Sequence, residues 1–203
     1  MASPLIPSPV ISGYCNLNEG APVGCQGCLQ GTVSPYYISV GDNHVIVPAS
    51  YTWGYVDFDT SAIPDDATVT SATLRVRVLS KVTSRRFTPA NWNVGIQTDQ
   101  ASLGVSLDCT DVGGSWQYQD IKSWATINTY VTYTLGTPTD INLTGRTVFW
   151  FYENWSHVGA GQSAVVSIAS AGHGTAAYRP LLTVNYTEAS TGIPRVIMFG
   201  DGF

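Results

Sequence analysis

The sequence predicts an all-β protein: an antiparallel jelly-roll β-sandwich with an irregular N-terminal arm and a C-terminal tail. Three observations predict it. Only 11% of the 203 residues are charged, against roughly 25% in an average soluble domain. Lys and Glu, the usual solubilisers of helix surfaces, occupy only Lys81, Lys122, Glu19, Glu153 and Glu188, which argues against a helical protein. Short runs of alternating apolar and polar residues recur between turn signals, and 20 Gly and 11 Pro punctuate the chain. The length suits one domain, with a core large enough to need no metal or disulfide.

The elements follow in order. Residues 1–30 read as an irregular arm, because Pro4, Pro7, Pro9 and Pro22 forbid helix and discourage a central strand. The arm carries Leu5, Ile6, Val10 and Ile11, an apolar set suited to contact with a neighbouring subunit. Tyr36 to Val40 and His44 to Val47 are candidate strands. Trp53 to Phe58 alternates, with Val56 and Phe58 facing one way and Tyr55 and Asp57 the other. Ile63-Pro64-Asp65-Asp66-Ala67 is a turn of the Pro-Asp type. Thr73 to Leu79 then places Leu74, Val76 and Val78 on one face and Arg75 and Arg77 on the other.

Trp92, Val94 and Ile96 form the next period-2 run, followed by Val131, Tyr133 and Leu135. Residues 112–125 could hold a helical turn. Arg146 to Tyr152 is mostly apolar and reads as a strand buried on both faces. Ala164 to Ala169 is strand-like, and Leu181 to Tyr186 closes the set with Leu182, Val184 and Tyr186 on one face. The sandwich therefore spans 31–187. No period of 20 to 50 residues recurs, which excludes propellers and solenoids.

Residues 188–203 depart from this pattern. A linker, Ala189 to Gly192, leads to the apolar run Val196-Ile197-Met198-Phe199, and the chain ends at Phe203. An apolar run outside a domain marks a partner contact. Pro194 cannot donate to a ladder, so a short edge strand added to a neighbour is one reading. Packing back on the chain's own sandwich is the other.

The net charge is −5, and residues 1–74 hold six acids and no base. No basic face exists to neutralise phosphates, so nucleic acid is not an expected partner. The densest basic spot, Lys81 to Arg86, reads as a solvated loop. No stretch is long and apolar enough for a membrane span. The start lacks the basic and apolar regions of a signal peptide, so synthesis in the cytoplasm without export is expected.

Chemistry is sparse. Cys15, Cys25, Cys28 and Cys109 could bind zinc together, form a disulfide or remain free thiols. His44, His157 and His173 lie in separate segments, and no Gly-x-Ser-x-Gly elbow occurs. Asp57 and Asp59 share a strand face and read as solvent-facing, with a calcium site or a catalytic pair as the functional alternatives. No cofactor and no enzymatic activity are expected. Of six Trp, Trp53, Trp92 and Trp150 suit a core. Trp116, Trp124 and Trp155 lie in turn-rich segments and are the candidates for glycan or protein contact.

Two segments carry a family resemblance. Val56-Asp57-Phe58-Asp59-Thr60-Ser61-Ala62-Ile63-Pro64, continuing through Val69-Thr70-Ser71-Ala72-Thr73-Leu74, resembles the signature of DNRLRE-type modules. There a strand ending Phe-Asp meets a Ser-Ile-Pro turn, and "Val-x-Ser-Ala-x-Leu" opens the next strand. Arg179-Pro180-Leu181-Leu182-Thr183-Val184-Asn185-Tyr186 resembles the closing strand of such modules. The resemblance spans roughly 31–187 and implies a jelly roll similar to carbohydrate-binding modules. Such domains occur in secreted wall and polysaccharide proteins and in phage virion proteins. Without a signal peptide, the virion setting is favoured.

The resulting expectation is a non-enzymatic virion structural protein of a tailed phage, serving as a capsid decoration or cement protein or in the collar or a fibre. Its termini would bind other virion proteins, and analogy with capsid decorations suggests a homotrimer. The alternative is a carbohydrate-binding module or phage-borne lectin adhering to surface glycans.

Overall fold

The computed structural model describes residues 11–18, 28–29, 36–43, 50–83, 92–96, 126–153, 163–189 and 193–200. The expected strand at His44 to Val47 and the helical turn at 112–125 lie outside them. The described residues form an all-β, antiparallel sandwich of jelly-roll type. Its strands are β1 (Ile11–Asn18), β2 (Cys28–Leu29), β3 (Tyr37–Asn43), β4 (Ser50–Asp59), β5 (Thr68–Thr83), β6 (Trp92–Ile96), β7 (Tyr130–Thr134), β8 (Arg146–Glu153), β9 (Ser163–Ala169), β10 (Leu181–Thr187) and β11 (Pro194–Phe199). Two 3-10 turns, Pro138–Asp140 and Ala176–Tyr178, are the only helical pieces among the described residues.

The hydrogen-bonded order is β11-β10-β5-β9-β3-β4-β1-β2, with β7 added to β5, and β8 then β6 added to β4. Two strands change partners along their length and so curl the sheet onto itself. β5 pairs with β10 and β7 over Thr68 to Arg77, then with β9 from Val78 onward, and a bulge at Leu79 marks the handover. β4 pairs with β3 over Ser50 to Thr52 and with β8 over Gly54 to Asp59. At Gly54 the two partners separate. Ile38 and Val40 of β3 lie over the Gly54 backbone so closely that an added Cβ would sit 2.3 Å from Ile38 Cγ2. Glycine permits the crossing because it carries no side chain there.

The core collects the inward positions of both layers. Leu74, Val76 and Val78 of β5, Leu182 and Val184 of β10, and Ile38 and Val40 of β3 meet Val56 and Phe58 of β4 and Phe149 and Phe151 of β8. The period-2 pattern of β5 and β10 therefore faces as the sequence predicts. β8 is buried on both faces, as its unbroken apolar run predicts: Val148 and Trp150, which point away from the main core, are both 0% exposed.

The corner carrying the first quoted segment is held by backbone-directed polar groups. Asp59 Oδ1 accepts from the Ser61 backbone N–H (3.1 Å) and the Ser61 hydroxyl (2.6 Å), which turns the chain out of β4. Thr60 and Thr147 are both 0% exposed, with their hydroxyls 2.9 Å apart. The Thr60 hydroxyl also bonds the Asn142 carbonyl, and its N–H donates to the Gly145 carbonyl (2.8 Å). Ile63 drops into the core beneath this turn. These contacts shape the corner between β4 and β8.

Two segments differ from their sequence reading. Residues 11–18, read as part of an irregular arm, form β1 and pair along the whole of Ser50 to Asp57. The arm's prolines stand at 4, 7, 9 and 22, so none interrupts this stretch. The apolar C-terminal run forms β11 and pairs with β10 of the same chain from Leu182 to Thr187.

The Gly54 crossing yields a direct test. Gly54→Ala should destabilise the fold by about 1–3 kcal/mol, the usual penalty of overpacking. Combining it with Ile38→Ala, which removes the clashing methyl, should cost less than the sum of the two single changes. Urea unfolding of the four proteins measures that coupling.

Candidate functional site

The first candidate, the Asp57–Asp59 face, is structural. Asp57 is buried, 2% exposed, contrary to its expected solvent-facing position. Strands β4 and β8 bring Arg146 to it, and both Nε (2.7 Å) and Nη2 of Arg146 donate to Asp57 Oδ2. Tyr55 and Trp150 lie on the same face with ring centroids 5.2 Å apart. The second carboxylate oxygen, Oδ1, has no hydrogen-bond partner. Burial holds the Asp57 carboxyl above the ordinary carboxylate range, and Arg146 opposes this only in part. Asp59 is engaged with Ser61. Among the described residues no group of three or more His, Cys, Asp or Glu could hold a metal.

The second candidate is the outward face of β5 and its neighbours. Alternation that sends Leu74, Val76 and Val78 inward sends Arg75 and Arg77 outward. Register sets Tyr130 of β7 directly opposite Arg77. The Tyr130 ring consequently lies between the two arginines, its centroid 4.7 Å from the Arg75 guanidinium carbon and 5.0 Å from that of Arg77. On its other side Arg77 stacks on Tyr178, at 3.8 Å. The Tyr130 hydroxyl donates to the Ala177 carbonyl (2.7 Å), which ties the strand to the turn carrying Tyr178. His173 continues the line, 5.1 Å from Tyr178 and 6.2 Å from Tyr36. Arg179 Nε donates to the His173 carbonyl (2.8 Å) and fixes this loop.

Among the described residues neither the Arg75 nor the Arg77 side chain has a hydrogen-bond or ion-pair partner, and both Nε atoms are buried. Ring stacking compensates part of the charge burial. The terminal Nη edges are what remains toward solvent.

Beside this stack runs a shallow trough of about 390 Å³. Tyr37 and Ser39 of β3, Val165 and Ser167 of β9, and Leu79, Ser80 and Val82 of β5 line it. Leu79 is two residues beyond Arg77 on the same strand, so the trough and the arginines are contiguous. Tyr36, Tyr37 and Tyr130 are 56%, 46% and 38% exposed. A trough lined by serine hydroxyls, a tyrosine and apolar side chains can take a flat, amphipathic ligand.

The expected site residues are distributed as follows. Leu5, Ile6, Val10, Cys25, Cys109, Trp116, Trp124, Trp155 and Phe203 lie outside the described residues. Ile11 opens β1, opposite Asp57. On β11, Phe199 is buried and Ile197 packs against the core, while Val196 (60%) and Met198 (38%) face outward. The backbone register of β1 and β2 sets Cys15 opposite Cys28. The tyrosine–arginine line was not singled out in the sequence. Its only local signal is the Arg-x-Arg alternation of β5, because Tyr36, Tyr130, His173 and Tyr178 come from three other segments.

No protein-family model matches the chain, and no curated protein sequence matches it. The resemblance to DNRLRE-type modules thus stands on the two quoted segments.

One outcome follows from this geometry. The raised carboxyl of Asp57 means that the folded protein binds its proton more tightly than the unfolded chain. Stability from this group is fully present below the unfolded value of 3.8 and is lost as pH rises through the folded value. Asp57→Asn should remove that component: the stability difference, wild type minus variant, should fall as pH rises through this window in urea titrations.

Proposed function

We propose that this chain is a non-enzymatic structural protein of a tailed-phage virion, a capsid decoration or cement protein or a component of collar or fibre. One observation carries the reading. β11 ends the hydrogen-bonded order and presents Val196 and Met198 outward, with Ile193 also 48% exposed. An exposed apolar edge strand bearing a single charge, Arg195, is an aggregation hazard unless a partner covers it. Ile197 and Phe199 anchor the strand in its own sandwich, so the edge is offered as a rigid element and not as a loose clasp. The resemblance to modules found in virion proteins supports the setting. Neighbouring capsid or tail subunits, or further copies of the chain in a homotrimer, are the partners this reading requires.

The saccharide-binding reading has its own support in the exposed Tyr37 that lines the trough and in the exposed Tyr36 and Tyr130 of the ring line. It shifts the stacking platform from tryptophans to tyrosines. The two readings are compatible, since a virion surface protein can also adhere to glycans.

Removing residues 193–203 would strip Phe199 from the core, so substitution is the cleaner test. The double variant Val196→Glu, Met198→Glu should fold and melt like the wild type. It should be missing from purified virions when their proteins are identified by mass spectrometry, whereas the wild type is present. Incorporation of the variant at the wild-type level would overturn the assignment of this edge.

A further inference from the structure

We propose that Arg75, Arg77 and the adjoining trough form a site for an acidic saccharide, with the sugar rings on the trough and a uronate carboxylate on the arginine edge. The proposal rests on the saccharide-binding reading and adds the charge class of the ligand.

Charge complementarity carries it. Arg75 and Arg77 are like charges two residues apart on one strand face, roughly 7 Å along the strand. Adjacent cations on a folded surface are ordinarily relieved by a carboxylate. Here neither side chain has a carboxylate or a hydrogen-bond partner among the described residues, and the line of rings from Tyr178 to Tyr130 holds both side chains in place. Stacked guanidinium groups keep their in-plane N–H edge for a planar anion, and a carboxylate matches that fork. The side-chain entropy of fixing the arginines has already been lost in folding, so less is lost on binding.

The trough supplies what a sugar needs. Tyr37 offers a ring face, Val82, Val165 and Leu79 offer apolar strips, and the hydroxyls of Ser39, Ser80 and Ser167 can exchange hydrogen bonds. A nucleic acid is disfavoured. Two arginines do not track a phosphate backbone.

The test is calorimetric titration of the full chain with three probes: a tetrasaccharide of uronic acids, a neutral glucose tetrasaccharide of equal length, and a short oligothymidylate. The uronate oligomer should bind at least about tenfold more tightly than the neutral one, as expected for one charge-assisted contact. The Arg75→Gln, Arg77→Gln variant should lose that preference, and Tyr37→Ala should weaken both saccharides. Should the glutamine variant fail to fold, Arg75→Lys, Arg77→Lys keeps the charge while losing the fork, and should reduce the preference. Equal binding of acidic and neutral saccharides would overturn this inference while leaving the saccharide reading standing. Silence toward both would overturn the two together, and tighter binding of oligothymidylate would reassign the site to nucleic acid.

Discussion

The close passage of β3 over Gly54 is the constraint on which the sandwich depends. A glycine in a strand lets a neighbouring strand approach its backbone without an intervening side chain. At Gly54, β4 leaves β3 and takes up β8, and Ile38 and Val40 fill the space a side chain would occupy. The inward faces of the two layers then lie against each other, and the aliphatic and aromatic residues of eight strands enclose one core. β5 performs the complementary change of partner, with a bulge where Gly54 has a gap.

This arrangement separates polar groups that fold the chain from polar groups left for binding. Asp57, Thr60 and Thr147 are buried; Arg146 holds Asp57, and Thr60 bonds the Asn142 and Gly145 carbonyls and the Thr147 hydroxyl across the sequence. Their positions fix the exit of β4 and the entry of β8. Arg75 and Arg77, on the far face of β5, have rings beneath them and no counter-ion. A low overall charge makes the contrast meaningful. With so few ionic groups, an unneutralised pair held in place is a feature of the surface and not one of many.

The two proposed roles use different parts of the same layer. The β11 edge offers apolar area and backbone hydrogen-bonding groups, which suit a protein neighbour. The tyrosine–arginine face offers stacking, hydroxyls and positive charge, which suit a saccharide. Val196 and Met198 register with Asn185 and Thr183 of β10, so they share the outward face that carries the arginines. A subunit covering only the β11 edge would leave that face open.

The sequence by itself determined the fold class, most strand positions and the inward set of β5, β8 and β10, because alternation and apolar runs are local consequences of which face is buried. It also determined the Ile63 to Ala67 turn, since Pro64 and Asp65 act on their own neighbouring backbone. Only the tertiary structure decided three further matters. Asp57 is buried because its strand face meets Trp150 and Arg146, about 90 residues away in the chain. Phe199 returns to its own core because β10 leaves an edge open to it. The tyrosine–arginine line exists because register sets β7 and the turn after β9 over β5. Each of these depends on contact between distant segments, and periodicity within a segment carries no information about which distant segment will arrive.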